Sequence, residues 1–134
     1  MTSFPRVASS FTTADVFLFI AVIPYRVHIG PDCLLAHGGS GVVLHPGVRI
    51  GYNVLICQQV TVGGAGKHKN VPVTGNDVYI GAGAKIIGPI VIDGNYIIGA
   101  NAVVVKSVPS GCVVAGVPAR ILRHGVNAHD VEEW

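Results

Sequence analysis

The residues best suited to chemistry in this chain are histidines in glycine-rich surroundings. His37 lies in "LAHGGSG", residues 35–41, and His45 follows in "LHPG", residues 44–47. An imidazole has an unperturbed pKa of about 6.5, so it can accept a proton from a reacting hydroxyl, and such base catalysis contributes roughly 10²- to 10⁴-fold. A histidine in such a turn is also commonly a solvated loop residue. Residue type and spacing leave both interpretations of His37 open.

Other chemical motifs are weaker. The stretch "VTVGGAGKHK", residues 60–69, superficially resembles a phosphate-binding loop, but it lacks the first glycine of that spacing and the Ser or Thr after Lys67. A nucleotide hydrolase is therefore excluded. The six histidines show no clustered ligand pattern, so no metal is expected. His68 lies in the same stretch and is either a solvated loop residue or part of a loop that closes over a ligand.

Composition limits the class of protein. The 134 residues fit a single domain, residues 1–134, and a charged fraction of 12% with a formal net charge of +2 argues against nucleic-acid and membrane partners. The three cysteines, Cys33, Cys57 and Cys112, lack metal-type spacing and indicate small buried thiols in a reducing compartment, the cytoplasm. The apolar run 16–23 is too short to span a bilayer, which takes about 20 residues, and favours a short capping segment.

A six-residue period runs through the elements that must position these residues. Nine of the eleven positions reached by steps of six from residue 44 to residue 104 are Val, Ile or Leu, and the exceptions are His68 and Thr74. Small or β-branched residues mostly stand four residues after each position, and Tyr96 departs from this rule. The period fits short strands joined by tight corners, each hexapeptide forming one face of a triangular coil. The sequence therefore predicts an all-β protein, a parallel β-helix of hexapeptide repeats.

Two breaks in the period divide the predicted domain. Leu35 and Leu44 are nine residues apart, so three extra residues enter within "HGGSG". The second break lies in "GGAGKHKN", residues 63–70, where an excursion is expected to replace about one strand. We predict an N-terminal cap at 1–24, a β-helix at 25–118 with a loop at 63–73, and a C-terminal tail at 119–134.

The ordered motifs resemble those of the hexapeptide-repeat acyltransferases, most closely the serine acetyltransferase catalytic domain. The resemblance rests on "IG" at 29–30, "LAHGGSGVV" at 35–43, "QQVTVGGAGK" at 58–67, "VYIGAGAKIIG" at 78–88, "IGANAVVVKSVP" at 98–109 and "AGVPARIL" at 115–122. It implies a left-handed β-helix, a homotrimer with active sites between subunits, and acetyl-CoA as the donor. It also implies direct transfer of the acetyl group to an acceptor hydroxyl in a ternary complex.

The resemblance assigns roles to individual residues. It makes His37 the general base and places Gly63 and Gly64 beside the thioester arm, where an N–H could stabilise the oxyanion. Ala82 and Ala100 match alanines that line the pantetheine groove. The substrate-binding candidates rest on their positions in the repeat: Asp32, His45, which is expected to point outward at a corner, and His68 in the excursion. A backbone carbonyl or Asp32 could orient His37. The cations expected near the CoA phosphates are Lys67, Lys106, Arg120 and Arg123.

Departures from the family pattern leave the acceptor open. Val22 and Ala36 stand where the serine enzymes carry acids, and Asn70 and Val71 replace their Arg-His pair. The acceptor hydroxyl could belong to serine or to a sugar, as in enzymes of capsule and O-antigen synthesis. The alternatives are a non-catalytic trimeric β-helix binding scaffold, and an acetyltransferase acting on an amino sugar or an antibiotic.

Overall fold

A computed structural model describes residues 20–128, which form a coil of short strands arranged in three sheets. Sheet 1 contains β1 (His28–Ile29), β4 (Arg49–Ile50), β7 (Val73–Thr74) and β10 (Val91–Ile92). Sheet 2 contains β2 (Leu34–Leu35), β5 (Val54–Ile56), β8 (Val78–Ile80), β11 (Tyr96–Ile98), β13 (Cys112–Ala115) and β14 (Arg120–His124). Sheet 3 contains β3 (Val43–Leu44), β6 (Thr61–Gly63), β9 (Lys85–Ile87) and β12 (Val103–Val104).

The chain visits sheets 1, 2 and 3 in turn, and each strand pairs in parallel with the strand one turn further on. Ile56 of β5, for example, pairs with Ile80 of β8, and Ile80 pairs with Ile98 of β11. Four turns of this kind form a left-handed parallel β-helix, which confirms the fold predicted from the six-residue period. The antiparallel strand β14 pairs with β13 and extends sheet 2 at the C-terminal end.

The interior of the coil is filled by the residues of the six-residue period. These buried residues are Leu44, Ile50, Ile56, Val62, Thr74, Ile80, Ile86, Ile92, Ile98 and Val104. The interior side chains of each turn stack on those of the next turn. The core is therefore one continuous column along the axis of the coil. Cys33, Cys57 and Cys112 are free and buried, as the sequence predicts.

His68 is the one position of the period that lies outside the core. It is exposed in the connection between β6 and β7, and every sheet keeps its strand in this turn. The expectation that an excursion replaces about one strand is therefore wrong. The loop instead adds six residues between interior positions 62 and 74, where the equivalent positions of the next turn, 86 and 92, are six apart.

Three rows of turns connect the sheets, and each is named here after a residue in it. The Asp32 corner joins sheet 1 to sheet 2, the His37 corner joins sheet 2 to sheet 3, and the His45 corner joins sheet 3 to sheet 1. Along the Asp32 corner, one polar residue of each turn has a left-handed backbone, with φ between 54° and 60°: Asp32, Asn53, Asp77 and Asn95. Asn and Asp tolerate this conformation better than other residues with side chains, so they stabilise the corner.

The ends of the chain are described only in part. The predicted N-terminal cap at 1–24 lies largely outside the described residues, and so does the predicted tail beyond residue 128. Val22 forms a parallel bridge to Val43 and begins sheet 3. Between residues 20 and 128 we find no helix with the length and apolar character needed to cross a membrane.

Candidate active site

The three extra residues before β3 form a bulge that carries His37. Ala36–Gly39 make a short 3-10 turn in which His37 has φ 54° and ψ 35°, and Gly38 also has a positive φ. The N–H of Ser40 donates to the His37 carbonyl at 3.3 Å and closes the turn. The His37 side chain is exposed, and its imidazole forms no hydrogen bond within residues 20–128. The imidazole nitrogens therefore remain available to a ligand.

The alanines predicted to line the donor groove follow His37 along the same corner. The N–H of Gln59 donates to the carbonyl of Ser40 at 2.8 Å, and the N–H of Gly83 donates to the carbonyl of Gln58 at 2.9 Å. The next turn repeats the pattern, because the N–H of Asn101 donates to the Ala82 carbonyl at 2.8 Å. Ala82 and Ala100 thus extend the His37 corner over two further turns.

Two cations belong to this corner. Lys85, on the outer face of sheet 3, donates from Nζ to the Gln59 carbonyl at 2.6 Å. Sequence analysis missed it, because its position before Ile86 indicates only that it points outward. Arg120 is exposed at the start of β14 and pairs with Ala115, at the C-terminal end of the same corner.

A second group of predicted residues meets at the His45 corner. The N–H of His45 donates to the Val62 carbonyl at 2.9 Å, which places His45 beside Gly63 of the next turn. Nδ1 of His45 accepts the N–H of Gly47 at 3.1 Å. The added loop begins here, and it carries Gly64 and the exposed residues Lys67 and His68. Lys106 is exposed after β12, two turns beyond Gly63 on the same corner.

Asp32 and Arg123 lie away from both groups. Asp32 is exposed on the far side of β2 from His37, and its carboxylate forms no hydrogen bond to the imidazole. Burial raises the pKa of the neighbouring Cys33 thiol, and the negative charge of Asp32 adds to this shift. Arg123 lies in β14 opposite Val113, in sheet 2. Within one copy of the chain, the structure does not bring these two residues to His37.

Apolar side chains occupy the positions where the family resemblance leads one to expect acids. Val22 is half-exposed at the edge of sheet 3, and its backbone pairs with Val42 and Leu44 through hydrogen bonds of 2.8 and 2.9 Å. Ala36 begins the bulge. Neither side chain can accept a hydrogen bond from an imidazole N–H, so neither can orient His37 in that way.

Comparison with known proteins identifies the family. No family model matches the chain. A serine acetyltransferase of Staphylococcus xylosus is 48% identical over 97 residues, which cover 71% of this chain and 44% of that protein. The crystal structure of Neisseria gonorrhoeae serine acetyltransferase matches 89% of this chain and 47% of its own, at 33% identity and a TM-score of 0.78. The Brucella abortus serine acetyltransferase in complex with coenzyme A matches 85% and 45%, at 35% identity and a TM-score of 0.76.

The chain belongs to the hexapeptide-repeat acyltransferases, close to the serine acetyltransferases. The family resemblance that the sequence motifs indicate is thereby confirmed. The chain spans less than half the length of the serine acetyltransferases it matches.

The cysteine thiols and the His37 imidazole differ in their exposure. Cys33, Cys57 and Cys112 are at most 8% exposed. The Cys57 thiol lies 3.6 Å from the Tyr79 hydroxyl, on the outer side of sheet 2. The three thiols are thus buried, whereas the His37 imidazole is exposed.

Proposed function

We propose that the chain transfers an acetyl group from acetyl-CoA to the hydroxyl of a small acceptor, with His37 as the general base. The observation that carries the proposal is the exposed, unpartnered imidazole of His37 on a bulge that interrupts an otherwise regular coil. Such a bulge, with His37 itself in a left-handed backbone conformation, has a conformational cost, and departures of this kind concentrate at functional sites.

The proposed reaction is a direct transfer in a ternary complex. His37 accepts the proton of the acceptor hydroxyl while that oxygen attacks the thioester carbonyl carbon. The tetrahedral intermediate collapses, the carbon–sulfur bond breaks, and the imidazolium returns the proton to the departing CoA thiolate. The burial of all three cysteines supports this route, because a covalent acyl-enzyme on sulfur would need an accessible thiol.

The donor is proposed to lie along the solenoid. Ala82 and Ala100 offer backbone groups and small side chains on the His37 corner, and the coenzyme A complex of the Brucella relative supports a CoA ligand. Gly63 has open space around its α-carbon, so its backbone can approach a thioester arm closely. Lys67, Lys106 and Arg120 are exposed cations suited to phosphate, and Arg123 is a further candidate.

A ring of copies would complete the site. His37, Ala82 and Ala100 lie at one edge of sheet 3, while Gly63, Gly64 and Lys67 lie at the opposite edge. In a cyclic assembly each subunit presents two different surfaces to its neighbours. We therefore propose a homotrimer in which the His37 corner of one subunit faces the His45 corner of the next. The free buried thiols favour a cytoplasmic location.

Serine is the first acceptor to test, because the relatives are named serine acetyltransferases. Val22, Ala36 and Val71 stand where the family pattern has polar groups. A sugar hydroxyl is therefore the second acceptor to test. A thiol-release assay with acetyl-CoA and a panel of serine, sugars and amino sugars separates the two.

The His37→Ala variant tests the base. Loss of general base catalysis should lower kcat by roughly 10²- to 10⁴-fold with CoA binding retained. The matched control is His28→Ala, because His28 is an exposed histidine in the same turn. A wild-type rate in His37→Ala would overturn the assignment.

A non-catalytic binding scaffold is the second candidate, favoured by the apolar residues Val22 and Ala36 at the positions where the serine enzymes carry acids. Calorimetry with CoA tests the scaffold, because a chain that binds no CoA cannot use acetyl-CoA as its donor.

A further inference from the structure

The turn after β3 fixes the tautomer of His45. The Gly47 N–H donates to Nδ1 of His45 at 3.1 Å, so Nδ1 must carry a lone pair. A neutral imidazole then holds its proton on Nε2. His45 is exposed and Nε2 has no hydrogen-bond partner within residues 20–128. The turn thus presents one oriented N–H donor at the surface.

An apolar side chain of the added loop lies beside that donor. Val71, on the returning arm of the added loop, lies against the corner: a Cβ placed on Gly47 would be 3.1 Å from Val71 Cγ2, and one placed on Gly64 would be 3.5 Å from Cγ1. Gly63 lies beside His45 and contributes only backbone. An apolar wall, a bare backbone and a single N–H donor suit an uncharged oxygen, such as a hydroxyl or a carbonyl, better than a carboxylate.

His45 and His37 stand at the same height but at opposite edges of sheet 3. Both belong to the first turn of the solenoid, one immediately before β3 and the other immediately after it. The extended run from residue 42 to residue 45 alone spans about 10 Å, so a small acceptor cannot contact both imidazoles of one copy. When copies are related by an axis parallel to the solenoid, their first turns lie at one level, and the two histidines can face each other across the junction.

We propose that His45 positions the acceptor in trans: its Nε2–H donates a hydrogen bond to an uncharged oxygen of the acceptor whose reacting hydroxyl is deprotonated by His37 of the neighbouring copy. This inference rests on the proposed function and its cyclic assembly. It assigns to His45 a role in acceptor specificity, separate from the turn that its Nδ1 stabilises.

Two conservative variants separate recognition from turn stabilisation. In His45→Asn the side-chain oxygen can still accept the Gly47 N–H, but the outer donor is lost. In His45→Gln the amide nitrogen can replace Nε2. With the acceptor that turns over in the panel, His45→Asn should raise the acceptor KM about five- to tenfold at unchanged CoA affinity, as expected for one lost hydrogen bond, and His45→Gln should recover much of the loss. A wild-type acceptor KM in His45→Asn would overturn the proposal.

Mixed assemblies test the trans arrangement. When His37→Ala and His45→Asn chains are co-expressed in equal amounts, about a quarter of the junctions pair an intact His37 with an intact His45 from the neighbour. A fraction of sites with wild-type acceptor KM should then appear. If the two histidines act within one copy, no such site forms and the trans proposal fails. Full activity of the His37→Ala assembly, or no turnover of any acceptor, would instead overturn the proposed function.

Discussion

Two hydroxyl groups inside the solenoid break the apolar pattern of the core at the scale of single residues. Thr74 Oγ1 and Tyr96 Oη are buried and have no hydrogen-bond partner within residues 20–128. Tyr96 is fully buried beside Val78 of the preceding turn. Burial, together with the nearby Cys112 thiol, raises the pKa of Tyr96 well above its usual value. The ring thus lies inside the coil at a position where the repeat favours a small residue.

Removing the Tyr96 hydroxyl should stabilise the fold. An unsatisfied buried hydroxyl costs about 1–3 kcal/mol, and Tyr96→Phe deletes it without changing the shape of the ring. We expect the free energy of unfolding in urea to rise by about 1 kcal/mol or more. Tyr25→Phe is the control, since Tyr25 is exposed. A lower free energy of unfolding for Tyr96→Phe would show that the hydroxyl has a partner.

At the scale of the strand, sheet 2 carries a titratable pair on its outer side. The hydrogen bond with Cys57 raises the pKa of Tyr79 to about 12 from its usual 10.0, and burial adds to the shift. Because the folded state holds this proton more tightly than the unfolded state, the pair contributes stability below about pH 10 that is lost as the pH rises toward 12.

The Tyr79→Phe variant should therefore flatten the alkaline limb of the stability profile. Denaturation midpoints measured from pH 8 to pH 12 should fall less steeply above pH 10 in Tyr79→Phe than in the wild type. Tyr25→Phe serves as the exposed control. An unchanged slope would mean that the Tyr79 proton is held no more tightly in the folded state.

The glycines of the corners differ in how closely other groups approach them. A Cβ on Gly75 would lie 2.6 Å from the backbone nitrogen of Gly94 in the next turn, whereas a Cβ on Gly63 would meet nothing within 4 Å. Gly75→Ala should therefore separate two turns and lower the free energy of unfolding by about 1–3 kcal/mol, while Gly63→Ala leaves it unchanged. Thermal unfolding checks both. Equal melting temperatures for the two variants would contradict the packing argument.

The repeat made most of the fold predictable, and its one failure has a simple cause. The interior positions at Ile50, Ile80 and Ile98 follow from the period, since a side chain every six residues must point into the coil. The loop after Gly63 adds six residues, and an insertion of one full period leaves the phase unchanged. Counting by six therefore cannot distinguish an added loop from a replaced strand. The contact of Val71 with the His45 corner depends on how that loop returns, which the local sequence does not encode.

The candidate site was predictable by motif but not by geometry. The "LAHGGSG" motif singled out His37, and the structure shows its imidazole exposed. The sequence did not reveal that β3 separates His37 from Gly63 and Gly64, because motif positions say nothing about which edge of a sheet each turn occupies. That separation is the reason the proposed site needs two copies of the chain.

At the scale of the whole molecule, the proposed assembly predicts a mass. Sedimentation equilibrium or light scattering should give three times the chain mass of 13.9 kDa. A monomer that still acetylates the acceptor would contradict a site shared between copies. His37→Ala and His45→Asn should keep the trimer mass, because both side chains are exposed and neither belongs to the core.

The loop at the His45 corner, residues 64–72, is six residues longer than the equivalent connection of the next turn. The strands on either side of it, β6 and β7, keep their parallel partners, so the loop is carried without disturbing the stack. The loop can therefore be lengthened, shortened or exchanged while His37 on the other edge of sheet 3 stays in place. If the proposed function holds, a library of grafts at residues 64–72 is a direct way to search for a change of acceptor.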